Sequence, residues 1–246
     1  MNFDELQTFY KTEDGVLFSR LLSEKLMKIQ SGWFKIDSQK KANFLAVGYP
    51  FNIRKIKIFS LVLTTCKKVI EKKFNSKKQN ISFTSASLWP ISNDYVDNML
   101  IIHALEFTPD NKQFLSEAFR TLASSGQLIL CVPNRRGFWS KNKLTPLGFG
   151  TSYSKVQIEK LLLNEGFKIK KIDYCIFIPP ILKFIHPNLK IKIDYFGNYF
   201  WKWFGGILIV AATKMVYVKP NQNINKTKNK YKNLLINKPA RVFQKN

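Results

Sequence analysis

Short apolar runs alternate with amphipathic segments through the middle of the chain, and this alternation limits the fold more than any other feature. The run Tyr95–His103 is apolar on both parities toward its end, as in a central strand that is covered on two faces. After it, Pro109 can open a helix whose apolar residues share one face, and Gln127–Val132 is another buried strand. Strand and helix patterns that alternate in this way predict a parallel sheet with helices on both faces.

Further elements flank this unit. Asp14–Ile29 has a helical apolar stripe, with Thr12 or Asp14 available as an N-cap. A second amphipathic segment, Ser154–Asn164, stops at Gly166, a residue typical of helix C-termini. Apolar runs predict the remaining strands at 43–48, 56–63, 81–83, 167–177 and 205–218.

The ends of the chain bear on its location. The N-terminus has no basic segment followed by an apolar run, so we predict a cytoplasmic protein. The uncharged run Phe204–Ala212 is far shorter than the about 20 residues of a spanning helix, so we predict no transmembrane segment. From Lys219 on, the chain has eight basic and no acidic residues. We therefore expect a folded domain over 1–218, with 1–40 as an N-terminal helical cap, and a basic, disordered tail over 219–246.

The formal net charge of the chain is +24, but only six of its 40 basic residues are arginines. Arginine is preferred for bidentate contacts to phosphates and bases, so a lysine-rich excess indicates weak, salt-dependent polyanion binding rather than a specific nucleic-acid surface. The three cysteines, Cys66, Cys131 and Cys175, are widely spaced. That spacing argues against a disulfide framework and a zinc site, and we predict no metal.

Four segments in the middle of the chain carry a resemblance to a known family: Leu88–Asp97, Ile101–Glu106, Phe119–Leu122 and Gly126–Ile129. They resemble class I S-adenosylmethionine-dependent methyltransferases of the type-11 kind. There, a stretch with leucine, proline and aspartate leads into the fourth strand, and an arginine, an apolar residue, a leucine and a glycine-rich turn lead into the fifth. The following stretch, Val132–Trp139, is similar to a bacterial branch of that superfamily. The resemblance spans roughly residues 6 to 218 and implies a Rossmann-like, seven-stranded, mostly parallel sheet with an antiparallel last strand.

The resemblance also implies S-adenosyl-L-methionine as the cofactor. In the family, a glycine-rich loop after the first strand approaches the methionine part, and an acid after the second strand binds the ribose hydroxyls. Here the loop Val47–Asn52 has one glycine and contains Pro50, and no carboxylate follows the second strand at Leu63–Cys66, so the cofactor loop is degenerate. The positions that match the family's cofactor crevice are Gly48, Tyr49, Thr64, Ser87, Leu88 and His103.

Polar and aromatic side chains near the ends of the fourth and fifth strands are candidate site residues. His103 and Glu106 are candidate catalytic residues, although a packed histidine and a solvated glutamate at a helix start explain them too. An anionic substrate group could meet Arg135 and Arg136, or the loop could be a solvated basic turn. The full set of candidate substrate-binding residues is Asn134, Arg135, Arg136, Trp139 and Tyr153.

These features predict a methyltransferase that acts on an unidentified acceptor. In this superfamily the acceptor is selected by variable loops, here 135–153 and 179–204. The alternative is a non-catalytic binding or scaffold protein of the same fold, with a protein partner, because the loop glycines and the ribose acid are lost together.

Overall fold

We describe a computed structural model of the chain. It describes residues 3–33, 42–49, 61–64, 80–83, 88–143, 145–180, 182 and 185–215. All of these residues belong to one compact unit that spans 1–215. The predicted tail, the loop from Pro50 to Asn52, Ser87 and the position of Cys66 lie outside the described residues.

Two helices precede the sheet: α1 over Phe3–Lys11 and α2 over Glu13–Trp33. The side chain of Thr12 accepts a hydrogen bond from the backbone N–H of Gly15 at 3.1 Å, so Thr12 is the N-cap of α2. The prediction of a helix over 14–29 is confirmed, whereas the separate short helix α1 was not predicted. Phe9 of α1 belongs to the same hydrophobic cluster as Ala46 and Leu100 of the sheet, so α1 packs on the sheet.

The sheet is mixed and mostly parallel. Its strands are β1 (Phe44–Gly48), β2 (Leu61–Thr64), β3 (Asn80–Phe83), β4 (Val96–Ile102), β5 (Leu122–Pro133), β6 (Phe167–Cys175) and β7 (Ile207–Lys214). They lie in the order β3-β2-β1-β4-β5-β7-β6. The strands β1 to β5 are parallel to one another, and β7 is antiparallel to both β5 and β6. The predicted α/β class and mostly parallel sheet are confirmed.

Four more helices connect or follow the strands: α3 (Asn111–Thr121), the short α4 (Pro146–Phe149), α5 (Lys155–Asn164) and α6 (Pro187–Phe200). Pro109 does not open α3, because the side chain of Asp110 caps the helix by accepting from the N–H of Gln113 at 2.9 Å. Ser154 caps α5 in a capping box with Gln157. Gly166 has φ +88 after α5, which confirms the predicted helix end.

Two predictions about this region are wrong. Residues 122–126 extend β5 ahead of the predicted strand start at Gln127, because Leu122 pairs with Val96 of β4. The segment 179–204, predicted as a variable loop, contains the 14-residue helix α6. Aromatic residues outnumber aliphatic ones in that helix, so the aliphatic stripe on which helix prediction depends is weak there.

Separate hydrophobic clusters cover the two faces of the sheet. One cluster joins the sheet to α3 and α5 through residues such as Phe114, Leu115 and Ile158. The other joins the opposite face to α1 and α2 through Phe9, Phe18 and Leu22. The strands supply alternate residues to the two clusters, as a sheet buried on both faces requires. Among the described residues, no helix combines the length and the apolar character needed to cross a bilayer.

Candidate functional site

The carboxyl ends of β1 and β4 lie side by side, with Gly48 in register with Ile102. Gly48 has φ +98, a conformation that side-chain-bearing residues rarely adopt. A Cβ at this position would collide with the backbone carbonyl of Ile102 and the side chain of Ala104. The sequence therefore needs glycine here for the turn and for the close approach of the two strand ends, whether or not a ligand is bound.

His103 ends β4 in the left-handed region, with φ +49. Its Nδ1 lies 2.8 Å from Oε1 of Glu106, which belongs to the 3-10 turn Leu105–Phe107. The two side chains are buried, with 3% and 0% of their surfaces exposed. A carboxylate at Glu106 accepts from Nδ1–H, and this contact fixes the tautomer in which Nε2 is the accepting nitrogen. In the turn after β4, the buried carboxyl group of Glu106 thus orients the imidazole of His103.

Tyr10 of α1 completes this arrangement from the other end of the sequence. Its hydroxyl lies 2.5 Å from Nε2 of His103, and its ring centroid is 5.6 Å from that of His103. The Tyr10 ring also stacks on Tyr49 at 5.8 Å with an interplanar angle of 18°. We call Tyr10, Gly48, Tyr49, His103 and Glu106 the carboxyl-edge cluster. A phenol, an imidazole and a carboxyl group joined in this order can relay a proton.

Glu106 also affects buried groups other than His103. Its second oxygen, Oε2, accepts no hydrogen bond from the residues that the structure describes. Burial, together with Glu106, raises the pKa of Tyr153 to about 12. Burial and the same carboxyl group raise the pKa of the Cys131 thiol well above its usual range. The Tyr153 hydroxyl donates to the carbonyl of Leu105 at 3.3 Å, so Tyr153 also holds the turn that carries Glu106.

The predicted cofactor residues have different surroundings. Tyr49 is buried, its N–H donates to the carbonyl of Ile102 at 2.8 Å, and burial raises the pKa of its hydroxyl to about 12. Leu88 is 72% exposed. Thr64 ends β2, but its side chain is outside the description, as is Ser87 altogether. The structure therefore brings Gly48, Tyr49 and His103 together and leaves the Leu88 side chain accessible.

The loop after Leu88 is held in place by Arg120 of α3. The Arg120 guanidinium donates to the carbonyls of Trp89 and Ile91 at 3.1 and 2.8 Å. It also donates to Glu117 at 2.8 Å, and this hydrogen bond lowers the pKa of the Glu117 carboxyl group. Glu117 in turn accepts from the N–H of Trp89 at 2.8 Å. These contacts connect the beginning of the segment 88–97 to the arginine near the end of α3.

The structure brings some of the predicted substrate-binding residues together but separates Trp139 from them. The Asn134 side chain donates to the carbonyls of Trp203 and Gly205 at 2.9 and 2.7 Å, so it fixes the entry to β7. Trp139 is buried on the α2 face, where it meets Phe18 edge-to-face at 4.6 Å and donates to the carbonyl of Ile178 at 2.6 Å. Trp139 therefore belongs to the core.

Arg136 lines a pocket at the carboxyl ends of β5 and β6. The pocket has a volume of about 310 Å³ and is lined by Asn134, Arg136, Ser154, Lys155, Val156, Tyr174 and Trp203. We call it the basic pocket. Two cationic side chains and two aromatic rings line this space, and it suits a ligand that carries an anionic group and an apolar or aromatic part. Arg135 is exposed next to it.

Sequence reasoning missed several residues of these two sites. Tyr10 lies 93 positions before His103, and nothing in a single sequence connects two residues at that separation. Lys155, Tyr174 and Trp203 come from three different elements that only the sheet order brings together. The aromatic-rich stretch 195–204 was a usable signal for Trp203, because so many rings cannot all enter the core of a small domain.

Comparisons with known proteins agree with this architecture. The family model of a methyltransferase domain, type 11, matches residues 46–130, which run from β1 to β5. No curated protein sequence matches the chain.

Solved structures share the fold at low sequence identity. An S-adenosylmethionine-dependent methyltransferase from Thermotoga maritima is 15% identical over 87% of this chain and 96% of its own, with a TM-score of 0.61. A Haloferax volcanii complex of a methyltransferase with its activator gives 11% identity over 87% and 100%, with a TM-score of 0.60. An Archaeoglobus fulgidus methyltransferase gives 17% over 86% and 99%, with a TM-score of 0.59. Residues 46–130 are thus similar to a type-11 methyltransferase domain, and the chain shares the fold of class I S-adenosylmethionine-dependent methyltransferases.

Proposed function

We propose that this protein transfers a methyl group from S-adenosyl-L-methionine to an acceptor that carries an anionic group. One observation carries the proposal: in a methyltransferase fold, Gly48 and the His103–Glu106 pair meet at the carboxyl ends of β1 and β4. In open α/β sheets, ligands bind at the carboxyl ends of the strands, where the strand order reverses. Here the order reverses between β1 and β4.

Two described residues of this crevice bear on cofactor binding. Gly48 makes the sharp turn that ends β1, and the exposed Leu88 offers an apolar surface for a flat ring. We propose that Gly48, Tyr49, Thr64, Ser87, Leu88 and His103 hold the cofactor. When bound, S-adenosylmethionine supplies an activated methyl group on a sulfonium, so that the protein chiefly has to align donor and acceptor.

His103 and Glu106 are the proposed catalytic residues. Glu106 fixes the tautomer of His103 and leaves Nε2 to accept a proton from the acceptor's nucleophilic group. Because Tyr10 occupies Nε2, either its phenol relays the proton or its ring moves aside when the acceptor binds. Both routes use the same imidazole and the same acid.

The acceptor is proposed to bind in the basic pocket. Arg136 and Lys155 would pair with its anionic group, while Tyr174 and Trp203 would contact its apolar part. Arg135 would add charge at the rim. Asn134 and Tyr153, which were predicted to touch the substrate, would act by holding the loop and the turn around the pocket, and Trp139 would support that loop from the core.

The proposal also covers features of the chain that the described residues do not decide. They are the presentation of Thr64 by β2 to the cofactor, a bacterial and cytoplasmic protein, and a domain that extends to residue 218. The position of β2 and β3 beyond β1 in the strand order supports the first of these. The tail at 219–246 lies outside the described residues and stays a prediction.

Titration calorimetry with S-adenosylhomocysteine tests cofactor binding. We expect saturable heat from the wild-type protein, and about tenfold weaker binding by Leu88→Asp because a carboxylate replaces the apolar contact. Leu163→Asp is the matched control, since Leu163 is also exposed but lies on α5. Absence of heat at millimolar ligand would contradict the proposal, as would equal weakening by the two variants.

A second candidate function is a non-catalytic binding or scaffold protein. The Tyr10–Tyr49 stack favours it, because these rings cover the end of β1 where a cofactor would approach, and the N–H of Tyr49 is already used by Ile102. Tyr10→Ala distinguishes the two candidates. If the ring only gates the cofactor, the variant binds S-adenosylhomocysteine more tightly than the wild type; if cofactor binding is lost, neither protein binds it.

A further inference from the structure

Helix α6 presents an aromatic face to solvent. At 100° per residue, six of its exposed side chains lie within an arc of about 140°. They are Leu189, Lys192, Tyr195, Phe196, Tyr199 and Phe200. Tyr195 and Tyr199 are 81% and 83% exposed, so their rings project from the surface and do not line a groove. A stripe of this composition normally faces a core, whereas this one faces away from it.

The opposite face of α6 fixes this orientation. Lys190 is buried and its ammonium pairs with Asp14 of α2 at 2.8 Å. Asp194 accepts from the N–H of Phe177 at 2.6 Å. Gly197 lies against Phe177 and Trp201, so closely that a Cβ would collide with both. The helix therefore cannot rotate to bury its aromatic residues without breaking all of these contacts.

The aromatic surface continues past the end of α6. Trp203 and Phe204 follow in a 3-10 turn and are largely exposed. Phe204 stacks on Phe138 from the loop after β5, with ring centroids 5.5 Å apart and an interplanar angle of 17°. We call these exposed rings the aromatic patch: Phe138, Tyr195, Phe196, Tyr199, Phe200, Trp203 and Phe204.

Positive charge surrounds the aromatic patch. Lys192 lies within the stripe, and Lys202 lies at its end. Arg135 and Arg136 precede Phe138, whose N–H donates to the carbonyl of Phe204 at 3.3 Å, so this basic loop borders the patch. The only acid between residues 187 and 206 is Asp194, and it points inward to Phe177. The patch is thus an apolar surface in a cationic frame.

We propose that the aromatic patch docks this protein on the surface of a membrane that contains anionic lipids. Tyrosine and tryptophan rings favour the boundary between headgroups and acyl chains, and lysine and arginine near that boundary are attracted to anionic headgroups. A second copy of the chain is disfavoured as the occupant, because two surfaces of a +24 protein would bring like charges together. The proposal does not depend on methyl transfer.

Vesicle flotation with the full chain tests this proposal. The probes are vesicles of phosphatidylcholine alone and vesicles in which about one third of the lipid is phosphatidylglycerol, both at physiological salt. We expect binding to the anionic vesicles and a blue shift of the tryptophan fluorescence. Tyr195→Ser/Tyr199→Ser should weaken that binding by about tenfold, because two rings no longer leave water.

Two control variants distinguish vesicle binding through the aromatic patch from binding through charge and from a loss of folding. Tyr95→Ser changes an exposed tyrosine on the turn before β4, remote in the sheet from α6, and should bind as the wild type does. Tyr195→Phe/Tyr199→Phe keeps the rings and should also bind. Equal binding by the wild type and the serine double variant would overturn the proposal and assign binding to charge alone. The proposal would also be overturned if light scattering showed a dimer of the wild type and of the control variants but a monomer of the serine double variant. A second copy of the chain would then be the occupant of the patch.

Discussion

The carboxyl-edge cluster and the aromatic patch are both rich in aromatic rings, yet the surroundings of those rings are opposite. In the cluster, Tyr49 and His103 are buried and both contact the Tyr10 ring, beside a glycine that tolerates no side chain. In the patch, Tyr195 and Tyr199 project into solvent from a helix that is anchored by its other face. Aromatic content alone therefore does not identify a site. The rings of the carboxyl-edge cluster pack within the fold, whereas those of the aromatic patch lie on its surface.

The largest expected effect is on the cluster. Gly48→Ala should destabilise the protein by about 3 kcal/mol, because it combines a positive φ with a collision against backbone. Gly166→Ala is the matched control: its φ is +88, but its Cβ would meet only the ring of Phe119. The control should lose about 1 kcal/mol. Urea unfolding measures the free energy of unfolding of both variants. Equal losses would mean that the close approach of β1 to β4 does not require glycine at position 48.

The next effect is a loss of stability at high pH. Burial raises the pKa of Tyr49 from 10.0 to about 12, so this phenol keeps its proton in the folded state after the unfolded chain has released it. Its contribution is complete below pH 10 and is lost as the pH rises through 12. We expect the free energy of unfolding to fall by about 2 kcal/mol over this range, and by less in Tyr49→Phe.

Tyr153→Phe provides a comparison within the same region. Burial and Glu106 raise the pKa of Tyr153 to about 12 as well, so this variant should remove a second share of the high-pH loss. Chemical unfolding between pH 9 and 12 measures all three proteins, within the range that the two raised pKa values define. A wild-type protein with constant stability over that range would show that neither phenol is buried.

The smallest effect concerns the base of the aromatic patch. Burial raises the pKa of Asp194 from 3.8 to about 6, so its contribution to stability is complete below pH 3.8 and is lost as the pH rises through 6. Asp194→Asn should therefore stabilise the protein at pH 7 by about 1 kcal/mol, while its amide oxygen still accepts from Phe177. The gain should vanish at about pH 4 in thermal unfolding. A gain of equal size at both pH values would contradict the assignment.

The elements from β4 to α5 could be predicted from the sequence because their apolar periodicity and their capping residues agree. Ser154 and Gly166 bound α5 as expected, and the run before His103 is a central strand. The positions of Gly48 and His103 at one edge followed from the parallel sheet. These are features in which local sequence and long-range packing require the same residues.

The remaining features depend on contacts between distant parts of the chain. Tyr10 reaches His103 only because α1 packs over the sheet, and Trp203 reaches Arg136 only because β7 inserts between β5 and β6. Trp139 was a candidate substrate-binding residue, but it packs in the core against Phe18 of α2. Helix α6 was missed because its outward face is apolar, which reverses the pattern expected of a surface helix.

A crystal structure with S-adenosylhomocysteine tests the central claim most directly, namely that the carboxyl-edge cluster is a cofactor site. We predict a ligand beside Gly48 and Leu88, with the Tyr10 ring moved away from Tyr49. Crystals soaked at millimolar ligand that keep the Tyr10–Tyr49 stack at 5.8 Å and hold no ligand beside Gly48 would contradict the account.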